Sequence, residues 1–182
     1  MDIISKNTKP ARLNIVSRSV GETEKIARLF LTKLNPIKTK ATIVGLYGDL
    51  GTGKTNFTQA VAKYFGIKRK VNSPTFVIIK KYELPKKDGH ESFLVDKTKP
   101  VPTGENFYER SAFKYLFHID AYRLKNEKEL IHLGWEEIIS NPKHLIFIEW
   151  PANIIKAMPK KHHKIFISHT PKGHRSFKIK TI

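Results

Sequence analysis

The chain contains no cysteine, which excludes disulfides and cysteine-ligated zinc as supports for a fold. Acidic residues are scarce: 16 Asp and Glu stand against 34 Lys and Arg, leaving a formal net charge of +18. Long apolar runs are missing too, and the opening Met1-Asp2-Ile3-Ile4-Ser5-Lys6 lacks a signal-peptide core. The expectation is a cytoplasmic protein with no membrane segment. Aromatic residues are not interleaved with the lysine clusters, as a single-strand nucleic-acid surface would favour.

Within those limits, 182 residues that are 40% hydrophobic suit one domain, residues 1–182, with a core of its own. Lysine clusters occur at Lys68-Arg69-Lys70, Lys80-Lys81, Lys86-Lys87 and Lys160-Lys161-His162-His163-Lys164. They fit either an electrostatic footprint for nucleic acid or an acidic partner, or a lysine-rich chain that stays soluble. His162-His163 reads as a solvated pair, since no third ligand stands at a metal spacing.

Residues 48–55 read Gly48-Asp49-Leu50-Gly51-Thr52-Gly53-Lys54-Thr55, a complete Gly-x-x-x-x-Gly-Lys-Thr phosphate loop. The apolar run Ile43–Tyr47 precedes it and an amphipathic stretch follows, which is the strand–loop–helix setting such a loop needs. Curled backbone N–H groups and the helix N-terminus favour an anion. Lys54 would reach the β- and γ-phosphates of a nucleoside triphosphate, and the Thr55 hydroxyl would ligate Mg²⁺.

Leu13–Val16 reads as a first strand, and Ser19 with Glu22 as a capping box opening a helix through Ile26, Phe30, Leu31 and Leu34. Phe57, Val61, Tyr64 and Phe65 form the buried side of the helix after the loop, with Gly66 as its C-cap. Thr75–Tyr82 is rich in β-branched and aromatic residues and reads as a strand, as do Tyr115–Ile119 and Leu145–Ile148. Asn126 and Glu129 open a helix through Leu130, Leu133 and Ile138. Ile165–Ile167 and the alternating Phe177, Ile179 and Thr181, joined by Pro171-Lys172-Gly173, predict an antiparallel hairpin at a sheet edge. Residues 85–112 are rich in Lys, Pro and Gly and read as a surface insertion. Phe93–Val95 is a short strand candidate within it.

Two apolar runs end in a carboxylate, Leu116–Asp120 and Leu145–Glu149. Ligands bind outside the carboxyl ends of parallel strands, so both acids are expected near the loop. One would join Thr55 on Mg²⁺, and the other would orient or deprotonate water. Ser73-Pro74-Thr75 offers two hydroxyls like a nucleotide-dependent switch. His118 reads as a satisfied strand-end histidine, and Trp135 and Trp150 as packing residues. Arg123 would neutralise phosphate or pair with a helix acid.

The phosphate loop, Ser73-Pro74-Thr75, His118-x-Asp120-x-Tyr122-Arg123 and Glu149-Trp150-Pro151 occur in that order, with Leu133-Gly134-Trp135-Glu136-Glu137 between the last two. In this the chain closely resembles the TsaE family, formerly YjeE, from about residue 13 to 168 apart from the insertion. The resemblance implies a P-loop NTPase-like three-layer α/β sandwich with a mixed, centrally parallel sheet and antiparallel edge strands. It implies an ATPase needed for N6-threonylcarbamoyladenosine at position 37 of ANN-decoding tRNAs. ATP and Mg²⁺ would be its cofactors and TsaB and TsaD its partners, with tRNA met indirectly through the complex. Nucleotide would meet Asp49, Leu50, Gly51, Thr52, Gly53, Lys54, Thr55, Asn56, Ser73 and Thr75. Lys54, Asp120 and Glu149 would carry catalysis, and Thr55, Asp120 and Glu149 the metal. Asn56 stands where the family often has threonine, Trp135 replaces a smaller apolar residue, and the insertion is an addition.

Two other functions fit parts of the sequence. A P-loop kinase would bring a lid with catalytic arginines, but the insertion holds only Arg110. A basic RNA-binding module rests on charge alone. A GTPase would need an Asn-Lys-x-Asp element, which is missing.

Overall fold

A computed structural model describes residues 12–85 and 112–182. The greater part of the expected insertion, with Phe93–Val95 and Arg110, lies outside the described residues. Seven strands form one mixed sheet in the order β1-β7-β6-β2-β5-β4-β3. The strands are β1 Arg12–Ser17, β2 Thr42–Tyr47, β3 Ile79–Glu83, β4 Tyr115–Asp120, β5 His144–Glu149, β6 His163–His169 and β7 Arg175–Lys180. β2 runs parallel to β5 and β6, and β4 parallel to β5. β1 with β7, β7 with β6, and β3 with β4 are antiparallel. Antiparallel strands therefore occupy both edges, as expected.

Side-chain alternation divides the core into two layers. Val44, Leu46, Leu145, Phe147, Ile165, Ile167, Phe177 and Ile179 face helices α1 Val20–Thr32 and α2 Lys54–Tyr64. Ile43, Ile146, Ile148, Phe117 and Ile119 face the other way, toward Leu130, Trp135 and Ile154. Those three come from α3 Glu127–His132, α4 Trp135–Ser140 and a 3₁₀ turn at Pro151–Ile154. A sheet buried on both faces requires continuous apolar strands, and β2 and β5 supply them. The capping box also forms. Ser19 accepts from the Glu22 N–H at 3.1 Å, and Glu22 reaches back to the Arg18 N–H at 2.7 Å.

Several elements differ from their sequence expectation. The single helix expected from Asn126 to Ile138 is two helices, broken at Gly134, whose φ of 83° a side chain would resist. The strand expected at Thr75 starts at Ile79. Pro74 accepts hydrogen bonds from the Val77 and Ile78 N–H groups, which turns the chain and leaves Phe76 and Val77 exposed. The β6–β7 hairpin lies inside the sheet, because β1 pairs with β7 and takes the edge.

His162 and His163 are buried rather than solvated. His163 points with Ile165 and Ile167 into the α1 side, where its ring meets Phe30 edge-on at 6.0 Å. Burial holds its pKa down to about 4, with His162 adding repulsion. His162 bonds to the Tyr47 hydroxyl at 2.8 Å and the Pro159 carbonyl at 2.6 Å.

Candidate active site

The phosphate loop leaves the end of β2 and enters α2, as its sequence context required. Gly51 and Gly53 take φ of 79° and 102°, and the Thr52 hydroxyl donates to the Asp49 carbonyl at 2.9 Å. Lys54 is buried and folds back over the loop. Its ammonium donates to the Gly48 and Asp49 carbonyls at 2.7 and 2.8 Å. The same nitrogen lies 3.8 Å from the Trp150 ring centroid. Burial lowers the Lys54 pKa, opposed by the nearby charges of Glu149, Asp120 and Asp49. Leu50 stands out into solvent and Asn56 is half-buried.

The two strand-end acids are register partners, Asp120 opposite Glu149. Alternation puts both on the face that carries α2, together with His118. They hold different segments. Glu149 accepts from the Thr55 hydroxyl at 2.8 Å on Oε1 and 3.0 Å on Oε2. Its Oε1 also lies 2.7 Å from Nε2 of His118, which is fully buried.

Asp120 Oδ2 accepts from the Ser73 hydroxyl at 2.7 Å and from the Thr75 hydroxyl. Asp120 Oδ1 accepts from the Tyr122 N–H at 2.9 Å. Thus β5, which adjoins β2, brings its acid against the loop's threonine, while β4, one strand farther out, ties down Ser73-Pro74-Thr75. Of the expected metal residues, Thr55 and Glu149 are in direct contact, and Asp120 is engaged with the expected switch segment.

Three features escaped the sequence. His118 is linked to Glu149, which the two-residue spacing from Asp120 and strand alternation could have signalled. Trp150 covers Lys54 rather than only packing, and it does so from a left-handed backbone at φ 59°. Ile78, in the turn that follows Thr75, has φ 64°, and its carbonyl accepts from the Asp120 N–H at 2.9 Å. Left-handed conformations at such bulky residues are strained and concentrate at functional sites. Arg123 stacks over Phe76 at 4.3 Å, away from any acid partner. Trp135 is a packing residue, as expected, with its N–H donated to Ala157.

The hydroxyl and carboxylate oxygens at Thr55 and Glu149 form the hard donor set that Mg²⁺ takes. Among the described residues no three His, Cys, Asp or Glu side chains converge as a metal cluster. Phosphate and water oxygens would therefore complete such a shell.

The family model for "Threonylcarbamoyl adenosine biosynthesis protein TsaE" matches residues 17–96 and 100–177. A tRNA threonylcarbamoyladenosine biosynthesis protein TsaE from Rickettsia conorii is 35% identical over 139 residues, 76% of this chain and 60% of that protein. The chain thus spans about 60% of that relative's length. The Bacillus subtilis protein of the same name is 34% identical over 146 residues, 80% of this chain and 71% of its own. The crystal structure of YdiB from Bacillus subtilis superposes with a TM-score of 0.61 at 24% identity, covering 97% of this chain and 89% of that one. That likeness carries the fold, and the sequence matches carry the family. With the phosphate loop, the tethered Ser73-Pro74-Thr75 and the Glu149–Thr55 contact in place, the chain belongs to the TsaE family of tRNA threonylcarbamoyladenosine biosynthesis proteins.

Proposed function

We propose that the chain is a Mg²⁺-dependent ATPase that acts with TsaB and TsaD in forming N6-threonylcarbamoyladenosine at position 37 of ANN-decoding tRNAs. ATP hydrolysis would reset that complex between turnovers. The protein would work in the cytoplasm and meet tRNA through the complex, as one domain carrying its 85–112 insertion. The observation that carries this reading is the Thr55 hydroxyl bonded to both oxygens of Glu149 directly behind the phosphate loop.

On this reading Lys54 exchanges the Gly48 and Asp49 carbonyls for β- and γ-phosphate oxygens, which match its charge better. Loop N–H groups from Asp49 to Asn56 and the α2 N-terminus cradle the phosphates. Mg²⁺, held by Thr55 and Glu149, would neutralise phosphate charge. The other oxygen of Glu149 orients the attacking water, with His118 fixing the carboxylate from behind. Asp120 keeps Ser73 and Thr75 poised beside the γ-phosphate and acts on the metal through that segment. Hydrolysis would release the segment, giving partners a difference to sense.

The test is reconstitution of tRNA modification with TsaB and TsaD, with and without this chain. Repeated turnover that requires the chain, ATP and Mg²⁺ is the expected result. Equal modification without the chain would overturn the proposal.

A further inference from the structure

Arg175 opens β7, where it pairs with Ser17 and His169 in the sheet. Alternation places it on the same face as Phe177 and Ile179, which belong to the layer under α1 and α2. Because β7 runs antiparallel to β6, its first residue stands at the carboxyl end of β6, level with the phosphate loop. The side chain reaches the loop itself. A Cβ placed on Gly53 would fall 2.9 Å from Arg175 Nε, 3.2 Å from Cδ and 3.6 Å from Cζ. The glycine before Lys54 is therefore required for a second reason besides its φ of 102°: its missing side chain is the space the arginine occupies.

The Nε of Arg175 is buried and has no hydrogen-bond partner. Ion pairs among the described residues join Lys63 to Glu24, His118 to Glu149 and Lys156 to Glu127, and none uses Arg175. Guanidinium does not lose its charge, so a buried, unmatched one calls for an anion. The sheet order supplies the direction. β5 and β4 bring Glu149 and Asp120 up on one flank of β2, and the β6–β7 hairpin brings Arg175 up on the other. The acid flank is the metal and γ-phosphate end of the site. The arginine flank is left for the phosphates that are not transferred.

We infer that Arg175 is a phosphate ligand of the bound nucleotide, holding the α,β-diphosphate portion through its guanidinium. This rests on the nucleotide-site reading above. The arginine would supply the positive charge that the lysine, committed to the β- and γ-phosphates, cannot give the nucleoside end. ATP and ADP would then share the contact, which sets it apart from an arginine aimed at the γ-phosphate.

The test compares wild type with Arg175→Ala and Arg175→Lys in the full chain. ADP and ATP affinities are measured by calorimetry, hydrolysis at saturating ATP separately, and thermal melting without nucleotide. The expected result is that R175A weakens ADP and ATP alike by about 10-fold or more. R175K should lose less, and both should keep hydrolysis at saturation and the nucleotide-free melting temperature. Unchanged ADP affinity in R175A would overturn the inference. So would a loss of ATP affinity or turnover with ADP affinity intact, which would move the guanidinium to the γ-phosphate. A lowered melting temperature with unaltered binding would make Arg175 a purely structural cover for Gly53. If R175A fails to fold, R175K binding ADP as wild type does, in high and low salt alike, overturns the inference. Failure of the wild type to bind either nucleotide would instead overturn the site reading, and this inference with it.

Discussion

The Thr55 hydroxyl donates to both carboxylate oxygens of Glu149, 94 residues away in sequence. It joins the phosphate loop to the end of the neighbouring parallel strand. Glu149→Gln should therefore keep nucleotide binding and lose turnover by about 10²–10⁴-fold. Nucleotide affinity and ATP hydrolysis measured on the same sample check this. Hydrolysis at the wild-type rate would remove Glu149 from its proposed role.

Lys54 lies 3.8 Å from the Trp150 ring centroid, so drawing the ammonium onto phosphates must change the indole's surroundings. Intrinsic tryptophan fluorescence should shift on adding ATP. Trp150→Phe should abolish the shift, since Trp135 is buried in the opposite layer. Lys54→Ala should abolish it as well, together with ATP binding itself.

Asp120 carries Ser73 and Thr75 on one oxygen. Asp120→Ala should loosen residues 73–78, read as faster amide hydrogen exchange there, and lower stability by about 1.5–3 kcal/mol for each hydrogen bond to the charge that is lost. A Mg²⁺ titration of ATP hydrolysis should shift less in Asp120→Asn than in Glu149→Gln. The reverse order would make Asp120 the acid nearer the metal.

His163 gives stability a pH dependence of definite sign. Its folded pKa, about 4, lies below the ordinary histidine value of roughly 6.5. The unfolded chain therefore binds the extra proton first as pH falls. Stability is complete above about pH 6.5, declines through the window, and levels off below the folded value, for a loss of about 3 kcal/mol. The lowered pKa of His162 adds in the same direction. Denaturant unfolding from pH 7 to 4 should show this slope, and His163→Asn should flatten it.

Local chemistry made much of this molecule readable. The continuous apolar runs of β2 and β5, the Gly-rich loop and the Ser19–Glu22 box each state their structure within a few residues. Thr75-Phe76-Val77 misled because β-propensity describes fit to a pleated surface. Here Pro74 turns the chain, and Asp120, distant in sequence, holds the hydroxyls. His162-His163 looked solvated amid lysines, yet strand alternation turns His163 toward Phe30. The hairpin's interior place depended on β1, the most remote strand in sequence.

By itself, the sequence determined the phosphate loop, the carboxylate-ended strands and the family, because strand alternation, backbone freedom at glycine and helix capping act over short spans. Only the tertiary structure decided which acid meets Thr55, what Lys54 and Trp150 do to each other, and that Arg175 fills the gap left by Gly53. Those contacts follow from strand order. The pairing of β2 with β5 on one flank and β6 on the other sets what stands beside the loop, and no local pattern encodes that neighbourhood.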